Sequence, residues 1–443
     1  MTLYKALCNY RKKGFSSFHT PGHKNRPFLQ DGLFSLDYTE LPETDSLFEA
    51  AGIIKEAEDH AASVFGTAAS FFSAGGCTLC IQAMLRQAAP NGGKFLCGRV
   101  IHRSAVNTMA LLGIVPVWIS PRGDAGPFLP GRIAAQDVQD AIKKNPDAAA
   151  VYLTSPDYYG VISDISSIRT VCEDKGIPLL VDNAHGAHLG LLKPDLHPIR
   201  LGAAMAASSA HKTLPVLTGG AFLDIADPAY VSGAKEAMAL FGSTSPSYPI
   251  LASLDQCVYW MEQDGRDAYQ FLVRRVCEIR NTARELGYFL PDGLVDPARI
   301  TLSAVRKGLT GEDFFEALRK RGIQPEYHDG ASVVLLPTPM NRERDLERLL
   351  YALREISCAF STKEYENETE ALPPLPPVRC TPREAILSPS QLVPLEHAVG
   401  RIAADAACPC PPGVPIVMPG EEITKECMNF LRKYGIVSLK VVK

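Results

Sequence analysis

The chain has 443 residues, which at roughly 150 residues per domain makes two or three domains. Its 45 basic and 49 acidic residues leave a formal charge of −4, so no global field draws it to nucleic acid or to an anionic membrane. An apolar fraction of 46% with scattered Gly and Pro excludes a disordered or fibrous chain, and no apolar run reaches the ~18 residues of a membrane span.

The opening string MTLYKALCNYRKKGF is broken by charge too early for a signal peptide, so a cytoplasmic protein with reduced thiols is expected. Only Cys77 and Cys80 have C-x-x-C spacing, with no second pair, so no metal site is expected and the cysteines read as small buried apolar groups. Residues 1–50 read as an irregular arm containing HTPGHKNRP. Helical spacing starts near Ile53, where Ile54, Ala57, Ala61 and Val64 recur up to Gly66. Residues 51–258 read as the large domain, within which the chain from about 70 to 225 alternates short apolar runs with amphipathic stretches. Strands are predicted at Phe95–Ile101, Val115–Ile119, Ala148–Thr154, Pro178–Asp182, Ala203–Ser208 and Gly220–Asp224. Between them, Ile165, Ile168, Val171 and Cys172 mark one helix face that should end at Gly176. Continuous apolar strands alternating with helices indicate an α/β unit with a mostly parallel sheet covered on both faces.

Residues 259–362 read as a smaller α+β unit. A long helical stretch, Leu254 to Leu286, leads into strand Arg299–Val305, a helix with a Thr310/Asp313 capping box, strand Ala331–Leu336 and helix Arg342–Ile356. Residues 363–382 form a Pro-rich linker, and 383–443 a C-terminal segment.

Three strings carry chemistry. SAHKT, Ser209 to Thr213, follows a strand of small residues and offers Lys212, which is otherwise a solvated surface lysine. PLLVDNAHGAHLG, residues 178–190, is a buried strand ending in Asp182, followed by His185 and His188. An acid at the C-terminal end of a parallel strand is where such folds build sites, although Asp182 could equally be a helix N-cap. FFSAGGCTLCIQAML, residues 71–85, leads two glycines into Cys77, Thr78 and a helix N-terminus, an anion cradle without P-loop or dinucleotide spacing. A cradle, an acid for a pyridinium nitrogen and a Schiff-base lysine thirty residues later describe one cofactor, pyridoxal 5'-phosphate.

Further strings carry a family resemblance. HTPGHK (19–24), TELPETDSLFEAAG (39–52), RVIHRS (99–104), TSPDYYGVISDI (154–165), STSPSYPILASLD (243–255) and CPPGVPIVMPGE (410–421) resemble the prokaryotic Orn/Lys/Arg decarboxylase family, from about residue 17 to 422. The resemblance implies a fold-type-I large domain with a mostly parallel seven-stranded sheet, plus smaller α+β C-terminal units. It lacks a counterpart of the long members' N-terminal wing, so a short form is expected. It implies pyridoxal-phosphate-dependent decarboxylation of lysine, ornithine or arginine. Lys212 would carry the cofactor, Asp182 would face its ring nitrogen, His102 would stack on the ring and His185 would lie beside Asp182. Gly76, Cys77 and Thr78, with Ser209 and His211, would hold the phosphate. Ser243, Thr244 or Ser245 would reach it from a neighbouring subunit, implying a homodimer.

Three departures stand out. Cys77 replaces a cradle hydroxyl, Cys410 replaces an aromatic, and Asp157 stands where Thr is usual. Asp157 either faces the substrate amine or caps the following turn; Glu421 is the other candidate for the substrate's distal cation. His19, His23, His60, His188, His197, His328 and His397 read as structural or surface residues, and Tyr158 and Tyr159 as pocket or core. The rival readings keep the cofactor but make the chain an aminotransferase or a carbon–sulfur lyase, or make it a non-catalytic regulatory homologue. An aminotransferase needs an in-plane arginine, for which Arg299 and Arg306 are on offer.

Overall fold

The computed structural model describes residues 13–18, 40, 44–126, 128–360, 372–409 and 413–443. HTPGHK with His19 and His23, Cys410, and residues 363–371 of the linker lie outside them.

A short strand, β1 (Ser16–Phe18), precedes a seven-stranded sheet of β2 (Ala69–Ser73), β3 (Gly93–Gly98), β4 (Ile114–Ile119), β5 (Ala148–Thr154), β6 (Leu179–Asp182), β7 (Met205–Ser208) and β8 (Ala221–Ile225). Their spatial order is β2-β8-β7-β6-β5-β3-β4. β3 to β7 run parallel, while β8 is antiparallel to both β7 and β2. The alternation of side chains shows why these strands read as continuous apolar runs. Tyr152 and Leu180 face one buried cluster, while Val151, Leu153 and Val181 face another. Both faces are covered by helices, so neither carries polar side chains to water. β2 is absent from the predicted strands because Ser70 and Ser73 break its apolar run and Phe71–Phe72 read as a lead-in to the glycines.

The reversal of β8 places its first residue at the same sheet edge as the C-terminal ends of β5, β6 and β7. Thr154 pairs with Asp182, and Asp182 with Ala207, along that edge. Ser73, at the end of β2, pairs with Ala221 there too. Helix Gly76–Ala88 therefore starts where the acid and the lysine turn end.

Helix Ile53–Phe65 buries Ile54, Ala61 and Phe65 and closes on Gly66 in the left-handed region, as the spacing predicts. Helix Ile165–Glu173 stops at Asp174, two residues short of Gly176; the glycine supplies the left-handed turn that follows (φ 63°). The expected domain boundary at 258/259 falls inside helix Tyr248–Trp260, which continues through a π-helical turn, Met261–Gly265, into helix Arg266–Glu285. A chain that crosses between units on a helix gives no composition break at the crossing.

The smaller unit holds a three-stranded sheet of β9 (Ile300–Ser303), β11 (Tyr327–His328) and β12 (Ser332–Leu335), with β10 (Ile323–Pro325) outside it. β12 lies antiparallel between β11 and β9. β10 pairs in parallel with β1, so part of the N-terminal arm belongs to this unit. Helix Gly311–Arg319 has the Thr310/Asp313 capping box, and helix Glu343–Ala359 packs on the same core. The C-terminal unit adds β13 (Ser390–Pro394) and β14 (Ser438–Val442), an antiparallel pair, and helix Lys425–Lys433 around its own apolar cluster.

Candidate active site

A cavity of about 550 Å³ opens at the shared sheet edge. Its wall includes Gly76, His102, Asp182, His185, Ser209 and Lys212. Asp405, Ala406, Cys408, Gly413, Pro415, Met418 and Pro419 of the C-terminal unit close its other side.

Asp182 is fully buried at the end of β6. The Ala184 N–H donates to its Oδ1 (3.1 Å) and the Tyr152 hydroxyl to its Oδ2 (3.3 Å). Burial pushes its carboxyl up, while His102 and Lys212 pull it back toward the charged form. Lys212 lies in a single turn, Ala210–Thr213, after β7. Its Nζ is 3.0 Å from His185 Nε2. Burial, with help from the Arg299 guanidinium, lowers its ammonium pKa from the ordinary value. His185 is buried, and burial, then Lys212 and Arg299, hold its imidazole well below the usual range.

His102 caps helix Arg103–Leu112, its Nδ1 accepting from the Ser104 N–H (3.2 Å), which leaves the other edge of the ring toward the cavity. Burial and Lys212 keep it below its ordinary pKa. Gly76 has φ 70°, a region that costs a side chain strain, and a Cβ there would meet nothing within 4 Å. The backbone at the helix start thus faces open space. Ser209 is buried, with its Oγ 3.2 Å from His211 Nδ1. Cys77 turns its Sγ away to the Ala207 carbonyl (3.3 Å).

The remaining candidates lie elsewhere. Asp157 is buried in its own turn, its Oδ1 accepting from the N–H groups of Tyr159 and Val161, and burial raises its carboxyl to about 6. Glu421 is committed to Arg99, which reaches both of its oxygens (2.5 and 2.8 Å), and to the Met418 N–H (2.7 Å). Neither side chain is on the cavity wall. Thr244 is exposed and also away from this cavity. Tyr158 lines the cavity, with its ring edge-on to His185, whereas Tyr159 is buried. His188 pairs with Asp296 (3.0 Å) in the interior, and His60 meets Glu262 at the surface (3.2 Å).

Two wall residues escape the sequence reading. Thr154 ends β5 in the position that Asp182 takes on β6, and strand-end logic alone would have found it. Asp405 comes from the C-terminal unit and carries no local signal.

The Orn/Lys/Arg decarboxylase major domain matches residues 1–291, and the C-terminal domain of the same group matches 366–437. The chain belongs to the Orn/Lys/Arg decarboxylase family. An arginine decarboxylase of Bacillus subtilis is 30% identical over 97% of this chain and 93% of its own length. A protein of the same organism described as uncharacterized is 32% identical over 99% of this chain and 94% of its own. Among solved structures, the lysine decarboxylase of Francisella novicida covers all of this chain and 83% of itself with a TM-score of 0.79 at 17% identity, which establishes the shared fold.

The cofactor of this decarboxylase family is pyridoxal 5'-phosphate, and the wall fits it. Thr154 is a wall residue whose Oγ1 is buried with no hydrogen-bond partner, an orphaned polar atom beside the cavity. At the helix start the Gly76 N–H is spent on the Gly219 carbonyl (2.8 Å), and the first-turn N–H groups of Cys77 and Thr78, with no side-chain cap, are left to an anion. A buried acid, a lysine of lowered pKa and a capped imidazole share the same cavity.

Proposed function

We propose that the chain removes the α-carboxylate of a basic amino acid as carbon dioxide, using pyridoxal 5'-phosphate held on Lys212. The observation that carries this reading is the convergence of Lys212, Asp182, His102 and His185 on one cavity, with the Lys212 amine 3.0 Å from a neutral imidazole. When bound, the cofactor supplies an electron sink for the pair left behind as the carbon–carboxylate bond breaks.

The chain's own residues do the rest. Lys212 Nζ is the nucleophile that would attach the cofactor and yield it to the substrate amine. Asp182 would keep a proton on the ring nitrogen, helped by the Ala184 N–H and the Tyr152 hydroxyl, which hold its carboxylate in place. His102 would cover the ring face. Cys77 and Thr78 through their backbone N–H groups, with Ser209 and His211, would bind the phosphate, Gly76 giving the open approach while its own N–H is held by the Gly219 carbonyl. After carbon dioxide leaves, Lys212 Nζ or His102 would return a proton to the same carbon.

For the substrate's distal cation, the wall presents two carboxylates among the described residues, Asp182 and Asp405. With Asp182 assigned to the ring, Asp405 is left, its Oδ2 accepting from Arg103 (2.9 Å) and its Oδ1 from the Ala406 N–H (2.9 Å). Asp405→Asn should raise KM for the cationic substrate about tenfold or more with little change in kcat, the worth of a charge-assisted hydrogen bond. Equal KM in both proteins would remove Asp405 from the substrate site.

The aminotransferase reading loses its arginine. Arg299 is buried and bonded to backbone, and Arg306 lies over the Phe289 ring, 4.1 Å from its centroid. Exposure of Thr244 supports a homodimer in which this loop serves the partner's phosphate. No helix among the described residues is long and apolar enough to cross a membrane, which accords with a cytoplasmic enzyme.

The test is carbon dioxide release from cofactor-loaded protein with arginine, lysine and ornithine in parallel, and Lys212→Ala as control. Arginine goes first because the Bacillus subtilis arginine decarboxylase matches over nearly its whole length. Release from one substrate, lost in the control, is expected. Silence on all three with cofactor bound would overturn the reading.

A further inference from the structure

Behind the cavity wall, His185 lies between Lys212 and a second basic side chain, Arg299, which plays no part in the chemistry above. Arg299 is almost fully buried just before β9. Its Nη1 donates to the Tyr158 carbonyl (2.7 Å), and its Nη2 reaches the His185 carbonyl (3.3 Å) and His185 Nδ1 (3.4 Å). Its stem presses on Gly160, where φ is +89° and a Cβ would come within 2.6 Å of Arg299 Cγ. Asp296, paired to His188, lies 3.8 Å from its Nε. The guanidinium is therefore fixed from several sides.

A guanidinium has donors and no acceptor. A hydrogen on His185 Nδ1 would point at it with nowhere to go, so Nδ1 must present its lone pair. The ring proton is then on Nε2, which faces Lys212 Nζ at 3.0 Å. An N–H directed at Nζ needs a lone pair there, which only the neutral amine has. We propose that Arg299 is a positioning residue that fixes His185 in the Nε2–H tautomer, so that the imidazole donates to the Lys212 amine and selects its nucleophilic form. The small domain, which supplies Arg299, thereby prepares the lysine of the large one.

The other groups around the amine do not produce this selection. Asp182, at the end of β6, and Glu326, after β10, favour the ammonium. His102 and His211 are both held below their ordinary pKa, chiefly by burial, and the Cys77 thiol is pushed up by burial and uncharged. Arg299 is the fixed cation opposing the two acids.

The inference rests on the proposed role of Lys212 but not on the substrate or on turnover, so its test needs neither. In full-length protein with ¹⁵N-labelled histidine, His185 assigned by its loss in His185→Asn, the ring nitrogen shifts should report Nε2–H near neutral pH. An Nδ1–H or doubly protonated ring would overturn the proposal. This measurement uses the native chain and so does not depend on a variant folding. The second measurement is capture of pyridoxal 5'-phosphate by cofactor-stripped full-length protein, followed by imine absorbance across pH. In Arg299→Gln, His185 is free to turn its acceptor to Lys212 and a like charge is lost, so the midpoint of capture should rise by about one pH unit. Arg299→Lys, still a cation without an acceptor, should restore it. A purely propping role for Arg299 would lower stability and leave the midpoint in place. An unmoved midpoint in Arg299→Gln, or the same rise in Arg299→Lys, would refute the assignment.

Discussion

Glu421→Gln removes one charge of a pair that is about 1% exposed on each side. Besides the carboxylate, Arg99, just after β3, donates to the carbonyls of Pro415 (2.8 Å) and Ile416 (3.0 Å), and it is the buried one of several ties to the C-terminal unit, beside Arg103–Asp405 and Arg383 on the Ala110 and Leu111 carbonyls. In the variant the guanidinium stays buried without its counter-charge, which costs about 3–5 kcal/mol. The C-terminal domain match, residues 366–437, spans 72 residues, and a unit that size is held by about 4–11 kcal/mol. The loss is thus about a quarter or more of its margin. Calorimetry should show a lowered transition, and limited proteolysis should release the C-terminal unit at temperatures where the large domain survives. The double variant Arg99→Met/Glu421→Met should recover part of the loss, since no lone charge remains. An unchanged transition together with a raised KM for the cationic substrate would refute this, and would return Glu421 to the substrate site.

Because Cys77 Sγ is spent on the Ala207 carbonyl, Cys77→Ser should leave the dissociation constant for pyridoxal 5'-phosphate within about twofold, as a hydroxyl there finds the same acceptor. Marked tightening, read by equilibrium dialysis, would show the side chain belongs to the phosphate cradle. At Asp296, burial alone would raise the carboxyl, but the His188 and Arg299 partners outweigh it and hold it at about 2, below the usual 3.8. A depressed acid stabilises the fold above its unfolded value and loses that contribution as pH falls from about 4 to 2, here about 2 kcal/mol. Denaturant unfolding of the native chain should show that acid-side loss, and Asp296→Asn should be less stable at neutral pH with a flatter profile between pH 4 and 2. Parallel profiles would refute the coupling.

The parallel strands were legible because each is apolar on both faces, and the acid and lysine because strand ends are where a side chain can leave the sheet and remain near it. Locally coded features, such as the Thr310/Asp313 box and the Gly66 cap, are found where the spacing puts them. What escaped is non-local. The clasp between Arg99 and Glu421 joins residues 322 positions apart, and no pattern near either one announces it. Glu421 drew attention as an acid near a Pro-Gly loop, whereas its carboxylate answers a charge on a strand in another unit. Asp157 shows the limit from the other side: its two readings differ only in which way the carboxylate turns, and backbone donors within four residues decide it. Arg299 drew attention as a substrate-binding arginine. Its place behind His185 depends on how the Tyr158–Gly160 turn packs against it.

The parallel pairing of β1 with β10 sets an order on the making of the molecule. Ser16 pairs with Ile323, so a segment that leaves the ribosome early must wait for about three hundred further residues before its neighbour exists. Until then β1 has no partner strand and Phe18, fully enclosed in the finished protein, has no enclosure. The large sheet between them can close first, since its strands lie within residues 69–225. Completion of the smaller unit is therefore a late, long-range event, during which the nascent chain carries both an unfilled strand edge and an uncovered aromatic, and this is where crowding or a chaperone would act on its yield.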